Sequence, residues 1–142
     1  MTEYTDEHKV PAYTIREIAN IDPDFYSILG PFLSRREVVD ELGGPMWDDD
    51  GKTWWVAVAS EEEVLGTIAL YREQVCSLFI TPASRGRSIG AALLGYVLRH
   101  HPDQVRKATA TEASHHLFQL FGFTDASRRG SFYLMERANV AV

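Results

Sequence analysis

The segment from Val75 to Val97 constrains the fold more than any other stretch of this chain. Val75–Thr81 is almost wholly apolar and short, which predicts a strand buried on both faces, and Pro82 stops it. From Ser88, the residues Ile89, Ala92, Leu93, Tyr96 and Val97 recur at helical spacing to about His101, where Pro102 ends the run. A strand that passes through a short glycine-bearing loop into an amphipathic helix excludes an all-helical bundle and an all-β sandwich alike. It calls for an α/β sheet.

The flanking sequence fills in the rest. Ala12–Ile18 reads as a first strand. Asp22-Pro23 opens a helix with Phe25, Ile28 and Leu29 on one side, and Pro31 is expected to end it. Ser34-x-x-Glu37 has the form of a capping box for a second short helix, with Val38, Val39 and Leu42 inward and Gly43-Gly44 closing it. Gly43–Lys52 reads as a loop. Thr53–Ala59 and Val64–Arg72 form a hairpin around the acidic turn Ser60–Glu63. Val105–Thr111 is a further strand, and Ser114 is expected to cap a last helix with Leu117, Leu120 and Phe121 inward and Gly122 at its end. Phe123–Ala126 and Ser131–Arg137 make a closing hairpin across Ser127–Gly130. The expected order is β, α, α, three strands, α, β, α, β, β.

No repeat, linker or low-complexity tract divides the 142 residues, so a single domain spanning 1–142 is expected. No apolar run is long enough to span a bilayer, and the polar, acidic start is unlike a targeting peptide. The one cysteine, Cys76, excludes an internal disulfide framework and a cysteine-rich zinc site, and no metal is expected. A cytoplasmic protein is the simplest reading. The formal net charge of −6 argues against nucleic acid as a partner. Charge is divided unevenly: residues 1–66 carry 15 acidic and 5 basic side chains, residues 67–142 carry 5 and 9. That division suits one anionic and one cationic ligand, although surfaces are often lopsided without such a cause.

The loop Arg85-Gly86-Arg87-Ser88-Ile89-Gly90 has the chemistry of an anion cradle. The first amides of a helix have no internal acceptor, the helix dipole adds partial positive charge, and small side chains let phosphate oxygens approach. Two arginines add charge in a geometry that can fork a phosphate. It is not a Walker loop, because no Gly-Lys-Ser/Thr follows, and its glycine spacing is not that of a dinucleotide fingerprint. A glycine loop by itself also suits a tight helix–sheet contact.

Together with Ile80-Thr81-Pro82 before it, this loop resembles the Arg/Gln-x-x-Gly-x-Gly/Ala motif of GNAT acyl-CoA N-acyltransferases, with Ser88 in place of the first glycine. Leu117-Phe118-Gln119-Leu120-Phe121-Gly122-Phe123 is similar to the family's last helix and its Gly-Phe ending. The resemblance implies a GNAT-like α/β fold, with a mixed, mostly antiparallel central sheet flanked by about four helices. It also implies acetyl-CoA, or another acyl-CoA, as co-substrate. Backbone around Phe79 and Ile80 would hold the pantetheine arm, residues 85–91 (Arg85, Gly86, Arg87, Ser88, Ile89, Gly90, Ala91) the pyrophosphate, and Phe118 would pack on the arm. A homodimer is compatible with such a domain.

The proton chemistry is where the chain departs from the family. Its common tyrosine falls at Phe118, which has no proton to give, and a glutamate found in some members falls at Gln74; neighbouring Glu73 belongs to the opposite face of a regular strand. Glu112 and His116 are the substitutes that the resemblance leaves, each also readable as a solvated surface group. Cys76 reads as inert core. Around the expected acceptor wall the chain is acidic, with Asp40, Glu41 and Asp48–Asp50 beside Met46 and Trp47, which points to a cationic small-molecule or peptide amine. Trp54 and Trp55 would shape its pocket, at least one of them serving the core. A catalytically silent acyl-CoA-binding sensor is the alternative.

Overall fold

A computed structural model describes residues 12–42, 51–60 and 63–137. The elements come in the expected order: β1 (Tyr13–Ala19), α1 (Phe25–Leu33), α2 (Arg36–Leu42), β2 (Lys52–Ala59), β3 (Val64–Tyr71), β4 (Gln74–Ile80), α3 (Ile89–His100), β5 (Lys107–Ala110), α4 (Glu112–Leu120), β6 (Phe123–Arg129) and β7 (Phe132–Arg137). They form one seven-stranded sheet of order β1-β2-β3-β4-β5-β7-β6. Every pairing is antiparallel except β4 with β5. None of the described helices is long and apolar enough to cross a membrane.

Strand alternation sorts the core into two layers. Trp55, Ala57, Leu65 and Val75 join Leu93 and Val97 of α3 and Phe118 of α4 on one face. Trp54, Val56 and Phe79 join Phe25, Leu29 and Phe32 of α1 and Val38 of α2 on the other. Trp54 and Trp55 are therefore both core, where at least one was expected to be, each with no exposed surface.

Several local expectations are corrected. The first helix runs past Pro31 to Leu33. A proline there removes one helical hydrogen bond and crowds a carbonyl a turn earlier. Burial of Phe32 edge-on against Phe79, with ring centroids 5.7 Å apart, offsets that cost and holds the last turn. Ser34 caps nothing ahead of it: its hydroxyl donates to the Pro31 carbonyl, and α2 starts from Arg35, whose carbonyl accepts the Val38 and Val39 amides. Of the inward residues expected on α2, Val38 is fully buried while Val39 and Leu42 are partly so.

In α4 the cap is Thr111, three residues before Ser114. The two side chains bond each other's backbone amides in a reciprocal box, so both carry cap chemistry. Leu120 is 68% exposed rather than inward. β5 is shorter than expected and β6 longer, leaving Gly130-Ser131 as the hairpin tip. Of the loop expected at Gly43–Lys52, residues 43–50 lie outside the described residues; Lys52 itself opens β2.

The decisive departure from regularity lies in β4. Ala69 pairs with Cys76 and Thr67 with Phe79, so Ile68 faces two residues, Ser77 and Leu78. Ser77 takes up the extra residue with φ 56°, and its carbonyl accepts the Thr67 hydroxyl at 3.1 Å. Such a bulge bends its strand and reverses which face later side chains take. Phe79 consequently points to the α1/α2 layer, and Leu78 and Ile80 to the α3/α4 layer. β4 pairs with β5 only at Gln74–Lys107 and Val75–Ala108, below the bulge; above it the two strands part.

Candidate acyl-donor site

The parting of β4 and β5 opens a cleft of about 480 Å³. One wall is β4 (Leu78, Ile80) and the first turn of α3; the other is the face of α4 carrying Ala113, Ser114, Leu117 and Leu120. Those four recur at helical spacing, and Leu120 is exposed because it faces this opening rather than the core.

The expected loop residues are brought together. Ile80, Arg85, Gly86, Ser88, Ile89, Gly90 and Ala91 all line the cleft. A short 3-10 turn, Pro82–Ser84, carries the chain off β4, with Thr81 Oγ1 bonded to the buried Ser84 hydroxyl at 2.9 Å. Gly86 and Ser88 then adopt left-handed conformations, φ 75° and 65°, which turn the chain into α3. The first helical bond accepted at this end is Ala92 N–H to Ser88 O, at 3.0 Å. Helix geometry leaves the amides of Ile89, Gly90 and Ala91 without an intrahelical acceptor, at the positive end of the α3 dipole.

The left-handed geometry explains the glycine that the motif carries where this chain has Ser88. An L-residue in that conformation costs on the order of 1 kcal/mol. Ser88→Gly should therefore raise stability by up to about 1 kcal/mol, read as a higher denaturation midpoint, with acetyl-CoA affinity undiminished. A weaker affinity would instead assign the serine hydroxyl a contact with the ligand.

Three expected residues lie off the cleft lining: Phe79, Arg87 and Phe118. Backbone polar groups alternate sides along a strand. The Thr81 amide bonds Leu65 on β3, so Phe79 likewise faces β3 and Ile80 turns its N–H and C=O toward the gap. Phe118 has no exposed surface and packs edge-on against Phe123 at 5.3 Å. Arg87 is partly buried.

Arg85 lines the cleft, yet its guanidinium is directed to the α2 side. Nε donates to the Ile80 carbonyl at 2.8 Å, Nη2 donates to Glu41 at 2.6 Å, and the group lies 5.3 Å over the Phe79 ring. The donors that helix geometry leaves open at this end are the backbone amides of Ile89, Gly90 and Ala91.

The two candidate proton carriers fall elsewhere. Glu112 is held on the outer side of α4 by the Tyr133 hydroxyl at 2.9 Å and by Arg128 at 3.6 Å. That hydrogen bond to a carboxylate holds the Tyr133 hydroxyl above its ordinary pKa. His115, stacked on Tyr133 at 3.6 Å, bonds Asp125 at 2.7 Å. His116 is exposed. Neither Glu112 nor His116 lines the cleft. Gln74, below the splay, donates to Thr109 Oγ1. Of the acidic acceptor wall, Asp40 and Glu41 lie on α2; Met46, Trp47 and Asp48–Asp50 lie outside the described residues. Among the described residues no group of three or more His, Cys, Asp or Glu is placed to hold a metal.

A sequence model of the Acetyltransferase (GNAT) family matches residues 15–123. The chain belongs to this family. Membership of the GNAT acetyltransferases makes acyl-CoA the acyl donor and acyl transfer the general activity. Solved structures agree on the fold. Escherichia coli ElaA is 19% identical, with a TM-score of 0.66 over 89% of this chain and 99% of its own. An acyl-CoA N-acyltransferase from Pseudomonas aeruginosa is 17% identical, with a TM-score of 0.66 over 89% and 100%. The GNAT domain of S. lividans PAT is 16% identical, with a TM-score of 0.63 over 87% and 89%. No curated protein matches the sequence significantly. The cleft fits the GNAT acyl donor: it offers amides at a helix N-terminus for an anion and, beyond them, an apolar slot between Ile80 and Leu117. At Gly90 that slot is so narrow that an added Cβ would stand 3.1 Å from Leu117.

Proposed function

We propose that this GNAT acetyltransferase moves an acetyl group from acetyl-CoA to a primary amine of a small molecule or peptide by direct attack. The observation that carries the reading is the splayed gap above the Ser77 bulge, continuous with the loop amides at the start of α3. In this reading the amides of residues 89–91 take the pyrophosphate, and the Ile80 backbone and Leu117 guide the pantetheine arm. Acyl-CoA supplies an activated thioester; the chain supplies position, holding the carbonyl within reach of the amine. Attack forms the C–N bond and breaks C–S, and the amine proton must leave as the thiol forms. The acidic α2 pair Asp40 and Glu41 supports a cationic acceptor.

One observation favours a second reading, a silent acyl-CoA sensor: Phe118 and Gln74 supply neither acid nor base. The two separate on one measurement. Wild-type protein with acetyl-CoA and a panel of primary amines (butylamine, 1,4-diaminobutane, lysine) should release CoA thiol in proportion to amine. Saturable acetyl-CoA binding without amine-dependent release across the panel would select the sensor.

A further inference from the structure

Thr67 is the one hydroxyl in the apolar run Val64–Leu70 of β3, and it has no exposed surface. The other buried hydroxyls among the described residues, Ser84, Thr111 and Ser114, serve the turn after β4 and the cap of α4. Thr67 serves neither a turn nor a cap: its Oγ1 donates to the Ser77 carbonyl at 3.1 Å. We infer that Thr67 is a positioning residue for the bound thioester, whose hydroxyl holds the Ser77–Leu78 peptide turned so that the Leu78 N–H faces the gap. The inference rests on the acyl-donor reading of the cleft above.

Backbone groups alternate sides along a strand, so Leu65, Thr67 and Ala69 of β3 turn to β4 while Ile68 turns to β2. Without the extra residue, Leu78 would stand opposite Thr67, where Phe79 now stands, and its N–H would be taken up by β3. At φ 56° Ser77 instead swings its carbonyl back toward β3, where the Thr67 hydroxyl meets it. A trans peptide is planar, and its N–H points opposite to its C=O. The Leu78 N–H is thereby directed away from β3 and into the gap, on the wall of the cleft that Leu78 itself lines. Three described non-glycine residues have positive φ: Arg72 lies in the β3–β4 turn and Ser88 starts α3. Ser77 alone is inside a strand, where a left-handed L-residue needs a restraint to hold it.

The path along β4 puts this peptide at the reacting end. With the pyrophosphate on the amides of residues 89–91 and the arm passing Ile80, the thioester comes next, at Leu78. That is just above the last β4–β5 pair, Val75–Ala108. As the amine nitrogen adds to the thioester carbon, the carbonyl π pair moves onto oxygen, and an N–H already aimed there stabilises the charge. The C–N bond forms and C–S breaks; Thr67 touches neither reactant and exchanges no proton.

Thr67→Val tests it, because the side chain keeps its shape and loses only the hydroxyl. With acetyl-CoA and the same three amines, kcat should fall on the order of 10-fold. The dissociation constant for acetyl-CoA should stay within about twofold of wild type, since the contact strengthens as charge develops. Acetyl-CoA isotope-labelled at the carbonyl reads the contact directly: its infrared C=O stretch, when bound, should lie lower in wild type than in Thr67→Val. Thr67→Ser, which returns a hydroxyl, should return both the rate and the stretch. A lower melting temperature in Thr67→Val with kcat and the stretch unchanged would make Thr67 a packing residue only and overturn the inference. Failure of Thr67→Ser to restore either one would overturn it too. If wild type binds acetyl-CoA but turns over none of the amines, the transferase reading fails, and the stretch still decides the role of Thr67. If it binds no acetyl-CoA, both readings fall together.

Discussion

Gly90→Leu is expected to weaken acetyl-CoA binding by about 100-fold or more, a loss of roughly 3 kcal/mol, while the folded state persists. Gly90 has ordinary helical geometry, so its glycine is there for space and not for backbone freedom. A Cβ at this position would sit 3.1 Å from Leu117 Cδ2 and 3.6 Å from Ile80 Cγ1, in the slot between β4 and α4. A single methyl can be met by a small shift of the Leu117 side chain, so Gly90→Ala should cost binding only several-fold. A leucine fills the slot. Isothermal titration with acetyl-CoA, beside circular dichroism of both variants, reads the outcome. Full affinity in Gly90→Leu would mean that the arm does not pass between Ile80 and Leu117. Gly86 makes the contrast: nothing lies within 4 Å of its added Cβ, but its φ of 75° disfavours any side chain. Two glycines of one motif are required for two different physical reasons.

That distinction marks what a sequence reading reaches. Strand–loop–helix order is written in local periodicity, and the loop chemistry follows from a helix start, so both were legible in Val75–Val97. The slot at Gly90 was not, because it is made by Leu117, a residue of another helix. The Ser77 bulge was also invisible: Val75–Ile80 reads as an even apolar run, and the extra residue exists only in register with Thr67 and Ala69 on β3. Yet it sends Phe79 to one core and Ile80 to the gap. Glu41 was legible as part of an acidic wall but not as a cleft residue, since its contact with Arg85 joins positions 44 apart. Helix ends misled for a related reason. Ser34 and Ser114 have capping side chains, and only the chain path decides that one bonds backward to Pro31 while the other answers Thr111.

Phe118→Ala should lower stability by about 3–5 kcal/mol and the melting temperature by about 10 °C or more. The ring is fully buried, edge-on to Phe123 and in the layer shared with Leu93, Ala110 and Met135, so truncation leaves a cavity that two helices and the sheet cannot close. Acetyl-CoA affinity, measured well below the melting transition, should change less than tenfold. The opposite pattern, lost affinity at unchanged stability, would place the ring against the pantetheine arm, as the family resemblance implies. Phe118→Tyr sharpens the same point. A hydroxyl added to a ring with no exposed surface must find a partner or cost about 1–3 kcal/mol. Restoring the family's tyrosine is thus expected to destabilise the fold without raising the transfer rate. Residue identity at a motif position carries a role only when the side chain also reaches the cleft, and here the packing of α4 on Phe123 turns position 118 into the core.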